Sequence, residues 1–167
     1  MKQLYLIGGT MGVGKTTVCQ ILKKRLPDCV FLDGDWCWDA DPFCVTDETK
    51  SMVLDNICHT LNNFLHCSAY QNVIFCWVMH EQAIIDSILS RLDTADCRVT
   101  CVSLVCSPEV LTVRLQKDID AGVRQEDIIP RSVARLPLYQ KTDTQLIDVS
   151  ALTPAQTAEE IIMEAVK

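Results

Sequence analysis

A chain of 167 residues, 49% of them hydrophobic and with only six glycines and six prolines, can bury one substantial core. This composition excludes a disordered or collagen-like chain, and no apolar run is long enough to span a membrane. The net charge of −7 argues against nucleic acid or an anionic membrane surface as partner, because both demand a basic face.

In chain order, Met1-Lys2-Gln3 leads directly into an apolar run at 4–7 without the pattern of a signal peptide, so a cytoplasmic protein is expected. The run at 4–7 reads as the first strand. Val18, Ile21, Leu22 and Leu26 follow at helical spacing, and Pro27 ends that helix. Residues 30–32 read as a second strand, and Met52, Val53, Ile57, Leu61, Phe64 and Leu65 as a long amphipathic helix. A third strand at 73–79 precedes a helix marked by Ala83, Ile84, Ile88 and Leu92. A fourth strand at 99–106 precedes one marked by Val110, Val113 and Leu115. Residues 118–140 fit the alternation least well and read as an insertion. After a fifth strand at 146–149 comes the best-marked helix: Thr153 as N-cap, Pro154 at the first helical position, Gln156 completing a capping box, and Ala158, Ile161, Ile162, Ala165 and Val166 inside. Short apolar strands alternating with helices predict an α/β fold, a parallel sheet covered on both faces, in one domain over 1–167.

The ten cysteines contain no Cys-x-x-Cys, and most sit inside apolar runs, such as Cys76, Cys101 and Cys106. That usage fits small buried thiols in a reducing compartment. Cys58-His59 and His66-Cys67 are isolated pairs, more readily packing than a metal site.

The decisive motif is Gly9-Thr10-Met11-Gly12-Val13-Gly14-Lys15-Thr16, which matches G-x-x-x-x-G-K-[ST] and is followed by Thr17. Glycines let the backbone fold around an anion with successive N–H groups pointing inward, and the helix beginning near Lys15 adds its positive end. The expected ligands are ATP and Mg²⁺, with Lys15 reaching the β- and γ-phosphates and Thr16 holding the metal. The second strand runs into Asp33-Gly34-Asp35, two carboxylates at the sheet edge that lines the ligand crevice in open α/β folds. Phosphoryl transfer to a hydroxyl needs a neutralised phosphate and a carboxylate to orient or deprotonate the acceptor.

With these motifs the chain resembles the small-molecule branch of the P-loop kinases. Phe31-Leu32-Asp33-Gly34-Asp35 is similar to a segment of adenylylsulfate kinases, and its Asp-x-Asp to that of shikimate kinases. Gluconate kinases and chloramphenicol phosphotransferases share the layout. The resemblance implies a three-layer P-loop NTPase fold whose five parallel strands run in the order 2-3-1-4-5, with a mobile lid at 118–140. It also implies Asp33 as a Mg²⁺ partner and Asp35 as the residue that contacts the acceptor hydroxyl. Arg114 would pack by adenine, and Arg124, Arg131 and Arg135 are candidate lid arginines for charge on the transferred phosphoryl group. The sequence departs from the family at strand three, where Phe75-Cys76-Trp77-Val78-Met79-His80-Glu81 holds no Walker B aspartate. Thr16, Asp33, Asp35 and Glu81 are then the oxygens left for the metal. The departure also argues against a motor ATPase, and the Asn-Lys-x-Asp of GTPases is missing.

Between Cys29 and Ser90 the only Lys or Arg is Lys50, whereas a phosphorylated acceptor is normally clamped by arginines. Trp36, Trp38 and Trp77 near the carboxylates suit a neutral or cationic acceptor with an apolar face, and His80 is either a contact or a core residue. The expectation is an ATP-dependent kinase, monomeric or homodimeric, acting on a hydroxyl of a small, non-phosphorylated acceptor. The alternatives are a nucleoside monophosphate kinase and a non-catalytic ATP-binding regulator.

Overall fold

Five apolar runs form five parallel strands, β1 (Lys2–Gly9), β2 (Cys29–Asp33), β3 (Asn72–Cys76), β4 (Cys97–Val105) and β5 (Gln145–Asp148), in the order β2-β3-β1-β4-β5. These come from a computed structural model that describes residues 1–166. The helices are α1 (Lys15–Arg25), α2 (Asp47–His66), α3 (Gln82–Leu89), α4 (Pro108–Asp120), α5 (Ile128–Arg135) and α6 (Pro154–Val166). Two 3-10 turns, Gly34–Cys37 and Leu136–Lys141, complete the regular structure of the described residues.

The sheet separates two cores. On one face Val18, Cys19 and Leu22 of α1, Leu111 and Leu115 of α4, and Ala158 and Ile161 of α6 pack on Tyr5, Ile7, Val102 and Leu104. On the other, Val53, Ile57 and Leu61 of α2 and Ile85 and Ile88 of α3 pack on Leu4, Leu6, Val73 and Phe75. Alternate residues of β1 therefore serve opposite cores, as a strand buried on both faces requires. Replacing Phe75, fully buried on the interior strand β3, with alanine should cost about 3–5 kcal/mol of stability. Urea unfolding followed by circular dichroism measures that loss.

Local signals fix the helix ends. Thr46 caps α2 through a capping box with Thr49, and Thr153 and Gln156 exchange the bonds predicted for α6 (Thr153 N to Gln156 Oε1, 2.9 Å; Gln156 N to Thr153 Oγ1, 3.2 Å). The last turn of α1 carries Lys23, Lys24 and Arg25, whose charges complement the helix's negative end.

Several inward positions differ from expectation. Met52, Val113 and Val166 are exposed, and Leu111, Ile85 and Thr157 take core positions instead. Ala83 is exposed, and Leu92 is buried beyond the end of α3 rather than within it. Strand β3 stops at Cys76, three residues short of the predicted end. Its register with β1 ends where Ile7 faces Cys76, and beyond the bond from the Trp77 N–H to the Ile7 carbonyl the two chains pair no further, although β1 itself continues to Gly9 against β4.

Residues 118–140 form no free-standing insertion. Helix α4 continues to Asp120, Ile128, Leu136 and Tyr139 are buried, and the Thr10 hydroxyl donates to the Ser132 carbonyl at 2.9 Å. Only residues 121–127 project, exposed except for Arg124. All ten cysteines are free thiols, with Cys19, Cys58, Cys76 and Cys106 buried. Among the described residues no helix is long and apolar enough to cross a membrane.

Candidate active site: a phosphate loop between two pockets

Strand register assembles the site. Ile7, two residues before the phosphate loop, is opposite Cys76, and Cys76 is opposite Asp33 on the other side. Three strand ends thus bring Gly9, the Trp77 backbone and Asp33 to one edge; the Trp77 N–H donates to the Ile7 carbonyl at 3.2 Å.

The loop has the backbone that its glycines allow. Gly12 and Gly14 have φ of +82° and +106°, a region that L side chains rarely adopt. Gly14 is the N-cap of α1, and neither a side-chain cap nor an acidic residue occupies that helix's first turn. The free N–H groups and the positive helix end therefore face the loop's concavity, an anion site by construction. The Lys15 ammonium lies across the loop, donating to the carbonyls of Gly9 at 2.8 Å and Thr10 at 3.0 Å. Burial lowers its pKa, while Asp35 and Asp33 are among the nearby groups that oppose the shift.

The Thr16 hydroxyl donates to Asp33 Oδ2 at 2.6 Å. The other carboxylate oxygen of Asp33 accepts from the Asp35 N–H at 3.1 Å and caps the 3-10 turn Gly34–Cys37. These are hard oxygen donors, and Mg²⁺ is commonly bound by one or two protein oxygens plus substrate phosphates. Thr16 and Asp33 therefore fit a Mg²⁺ ion. Glu81 is the N-cap residue of α3 but its side chain makes no cap bond; its carboxylate lies 3.5 Å from His80 Nε2 instead. Among the described residues, no group of three or more His, Cys, Asp or Glu is arranged to hold a metal by itself.

Asp35 is held from the other side. Trp77 Nε1 donates to Asp35 Oδ1 at 3.2 Å, and a Cβ on Gly34 would fall 2.5 Å from Trp77 Cγ. Glycine at position 34 thus lets the turn press against the indole. Trp77→Phe removes that donor and keeps most of the ring. Turnover should fall about fivefold, the equivalent of a ~1 kcal/mol hydrogen bond, with the KM for nucleotide unchanged; steady-state kinetics reads both.

Two cavities flank this edge. One, of about 400 Å³, is lined by Met11, Gly12, Gly14, Lys15, Thr16 and Thr17 of the loop and α1, Asp33 and Asp35, and Arg114, Lys117, Asp118 and Arg124. Arg114 donates to the carbonyls of Val13 and Val149, both at 3.0 Å, and so ties the loop to the end of β5. It also borders a mostly apolar recess of about 230 Å³ between Val13, Val18, Val149, Leu152 and Pro154. Arg124 reaches the phosphate cavity while paired with Asp118 at 3.1 Å. Lys117, which sequence reasoning missed, is three residues after Arg114 on the same side of α4.

The second cavity, of about 430 Å³, has mostly apolar walls: Trp38, Phe43, Val45, Val53, Leu54, Trp77 and Ile84, with Met11 shared with the first. His80, Lys50, Arg131 and Arg135 supply its polar groups. Burial, then the Arg135 charge, lowers the pKa of His80, and its Nδ1 is buried without a hydrogen-bond partner among the described residues. Arg131 and Arg135 share one face of α5, but that face borders the second cavity rather than the phosphate cavity. Trp36 is not brought here. It packs edge-on against Phe31, with ring centroids 5.1 Å apart, and Trp38, tilted against Phe43 with centroids 4.4 Å apart, forms the wall.

The AAA domain family matches residues 6–132, from β1 through the phosphate loop and into α5. The chain belongs to this family. No curated protein matches the sequence of this AAA domain protein. Solved structures similar to this AAA domain include the tunicamycin resistance protein of Deinococcus radiodurans, at 20% identity and a TM-score of 0.75, covering 98% of this chain and 95% of that one. A gluconokinase from Sinorhizobium meliloti 1021 is 18% identical with a TM-score of 0.71, covering 98% of this chain and 91% of that one. Shikimate kinase from Aquifex aeolicus vf5 is 19% identical with a TM-score of 0.56, covering 96% and 94%. Likeness at these identities establishes the fold alone, a P-loop fold that the chain shares with these three structures.

Proposed function

We propose that this protein is a phosphotransferase that moves the γ-phosphate of ATP to a hydroxyl of a small, non-phosphorylated acceptor. The observation that carries this reading is the position of Asp35, which lines the phosphate cavity and is hydrogen-bonded to Trp77 of the neighbouring apolar cavity. A nucleotide in one cavity and an acceptor in the other would meet at this carboxylate.

In this reading the loop N–H groups and Lys15 bind the phosphates, and the recess beside Arg114 takes the base. Thr16 and Asp33 would hold Mg²⁺, which would supply charge neutralisation on the phosphates. Asp35 accepts the acceptor's hydroxyl proton as the new oxygen–phosphorus bond forms and the bond to the β-phosphate oxygen breaks, releasing ADP. Arg124 lies on the phosphate side, where it would stabilise charge on the moving group. The names of the structural neighbours, a gluconokinase and a shikimate kinase among them, support transfer to small hydroxyl compounds.

The test is ADP release from MgATP across a panel of hydroxyl-bearing metabolites that includes the nucleoside monophosphates. Acceptor-dependent release with non-phosphorylated compounds is expected. Activity confined to nucleoside monophosphates would overturn the choice of acceptor. ATP binding without acceptor-dependent release would instead indicate a nucleotide-sensing regulator.

A further inference from the structure

The second cavity carries an unbalanced charge. Lys50 is within 3.6 Å of Asp47, and Arg131 within 3.5 Å of Asp127. Arg135 has no ion pair and no side-chain hydrogen bond among the described residues, although it is half-buried and stands beside His80. Burial and then the Arg135 charge shift His80 away from its charged form, opposed by the exposed Glu81 carboxylate 3.5 Å from its Nε2, so His80 adds no second cation near pH 7. A guanidinium left unpaired against apolar walls is costly unless an anion completes it. The remaining wall is aromatic and aliphatic, with Trp38, Phe43 and Trp77 its largest members.

We infer that the acceptor is a monoanionic hydroxy acid with a flat apolar body, its carboxylate bound by Arg135 and its ring or aliphatic face held among Trp38, Phe43 and Trp77. This rests on the phosphotransfer reading for the hydroxyl but not for the anion. One uncompensated positive charge matches one carboxylate, and guanidinium meets carboxylate through two parallel hydrogen bonds. A phosphate monoester, with close to two charges, would leave the balance negative. Arg131 and Lys50, already paired, flank the site without adding net charge to it. The shortage of cations between Cys29 and Ser90 thus reflects where the chain places them. Helix α5, far along the sequence, supplies the one that counts.

Calorimetric binding tests this without turnover, so its failure is separable from failure of the phosphotransfer reading. The probes are 4-hydroxyphenylacetate, 3-hydroxybenzoate and a hydroxycyclohexane carboxylate, each with its neutral amide, and 4-hydroxybenzylphosphonate as a dianion. Wild type should bind at least one acid about tenfold or more tightly than its amide. Arg135→Gln should remove that preference by weakening the acid alone, and Arg135→Lys should restore part of it. A melting curve like that of wild type shows that each variant is folded, and Lys50→Gln, on another element, should reduce acid binding only a few-fold. Equal binding of acid and amide, a preference for the phosphonate, binding of none of the acids, or an acid preference that survives Arg135→Gln would overturn the inference.

Discussion

Asp35→Asn should lower turnover by about 10²–10⁴-fold, the range for losing a positioned general base, while MgATP still binds. Asparagine keeps the oxygen that accepts from Trp77 Nε1 and nearly the same volume, so the turn at Gly34–Cys37 retains its geometry. What disappears is the negative charge that takes up the hydroxyl proton. Calorimetry with a non-hydrolysable ATP analogue should show near wild-type affinity, and the ADP assay should show the fall in kcat. Equal turnover in the variant would mean that Asp35 only shapes the turn.

The second large effect is expected at Lys15. Its ammonium bridges two loop carbonyls and lies close to both carboxylates of the Asp-Gly-Asp turn. Lys15→Ala should reduce kcat/KM by about 10²–10³-fold, as removal of one preorganised donor to developing charge does. Lys15→Arg should not restore it. A planar five-donor fork cannot take the place of a compact point charge among the close carbonyls of Gly9 and Thr10. Steady-state kinetics on both variants, with unfolding curves to show that the loop still folds, decides between a chemical and a structural role.

The most legible parts of the molecule were those written in short spacings. The phosphate loop, the Asp-Gly-Asp turn and the capping box of α6 each require certain residue types a few positions apart, and each formed as read. The strand order followed from the resemblance that those motifs carried. What could not be read was which side of an irregular segment a residue faces. Trp36 and Trp38 are two apart, yet the 3-10 turn sends one to Phe31 and lets the other wall the second cavity. The end of β3 was overestimated because Trp77, Val78 and Met79 are apolar in sequence. Trp77 and Val78 face a cavity, and Met79 packs in the core without a strand partner.

The convergence of Lys50, Arg131 and Arg135 was also hidden. Their separation along the chain is large, and only the docking of α5 on the phosphate loop through Thr10 and Ser132 brings the arginines near α2. One local signal was available, the four-residue interval of Arg131 and Arg135, which gives a shared helix face but not the cavity that the face borders.

The most direct test of phosphotransfer is ³¹P NMR of MgATP incubated with the protein and a pool of hydroxy acids. The account predicts the resonances of ADP together with a new phosphate monoester in equal amount, both missing with Asp35→Asn. ADP accompanied only by inorganic phosphate, or intact ATP throughout, would contradict it.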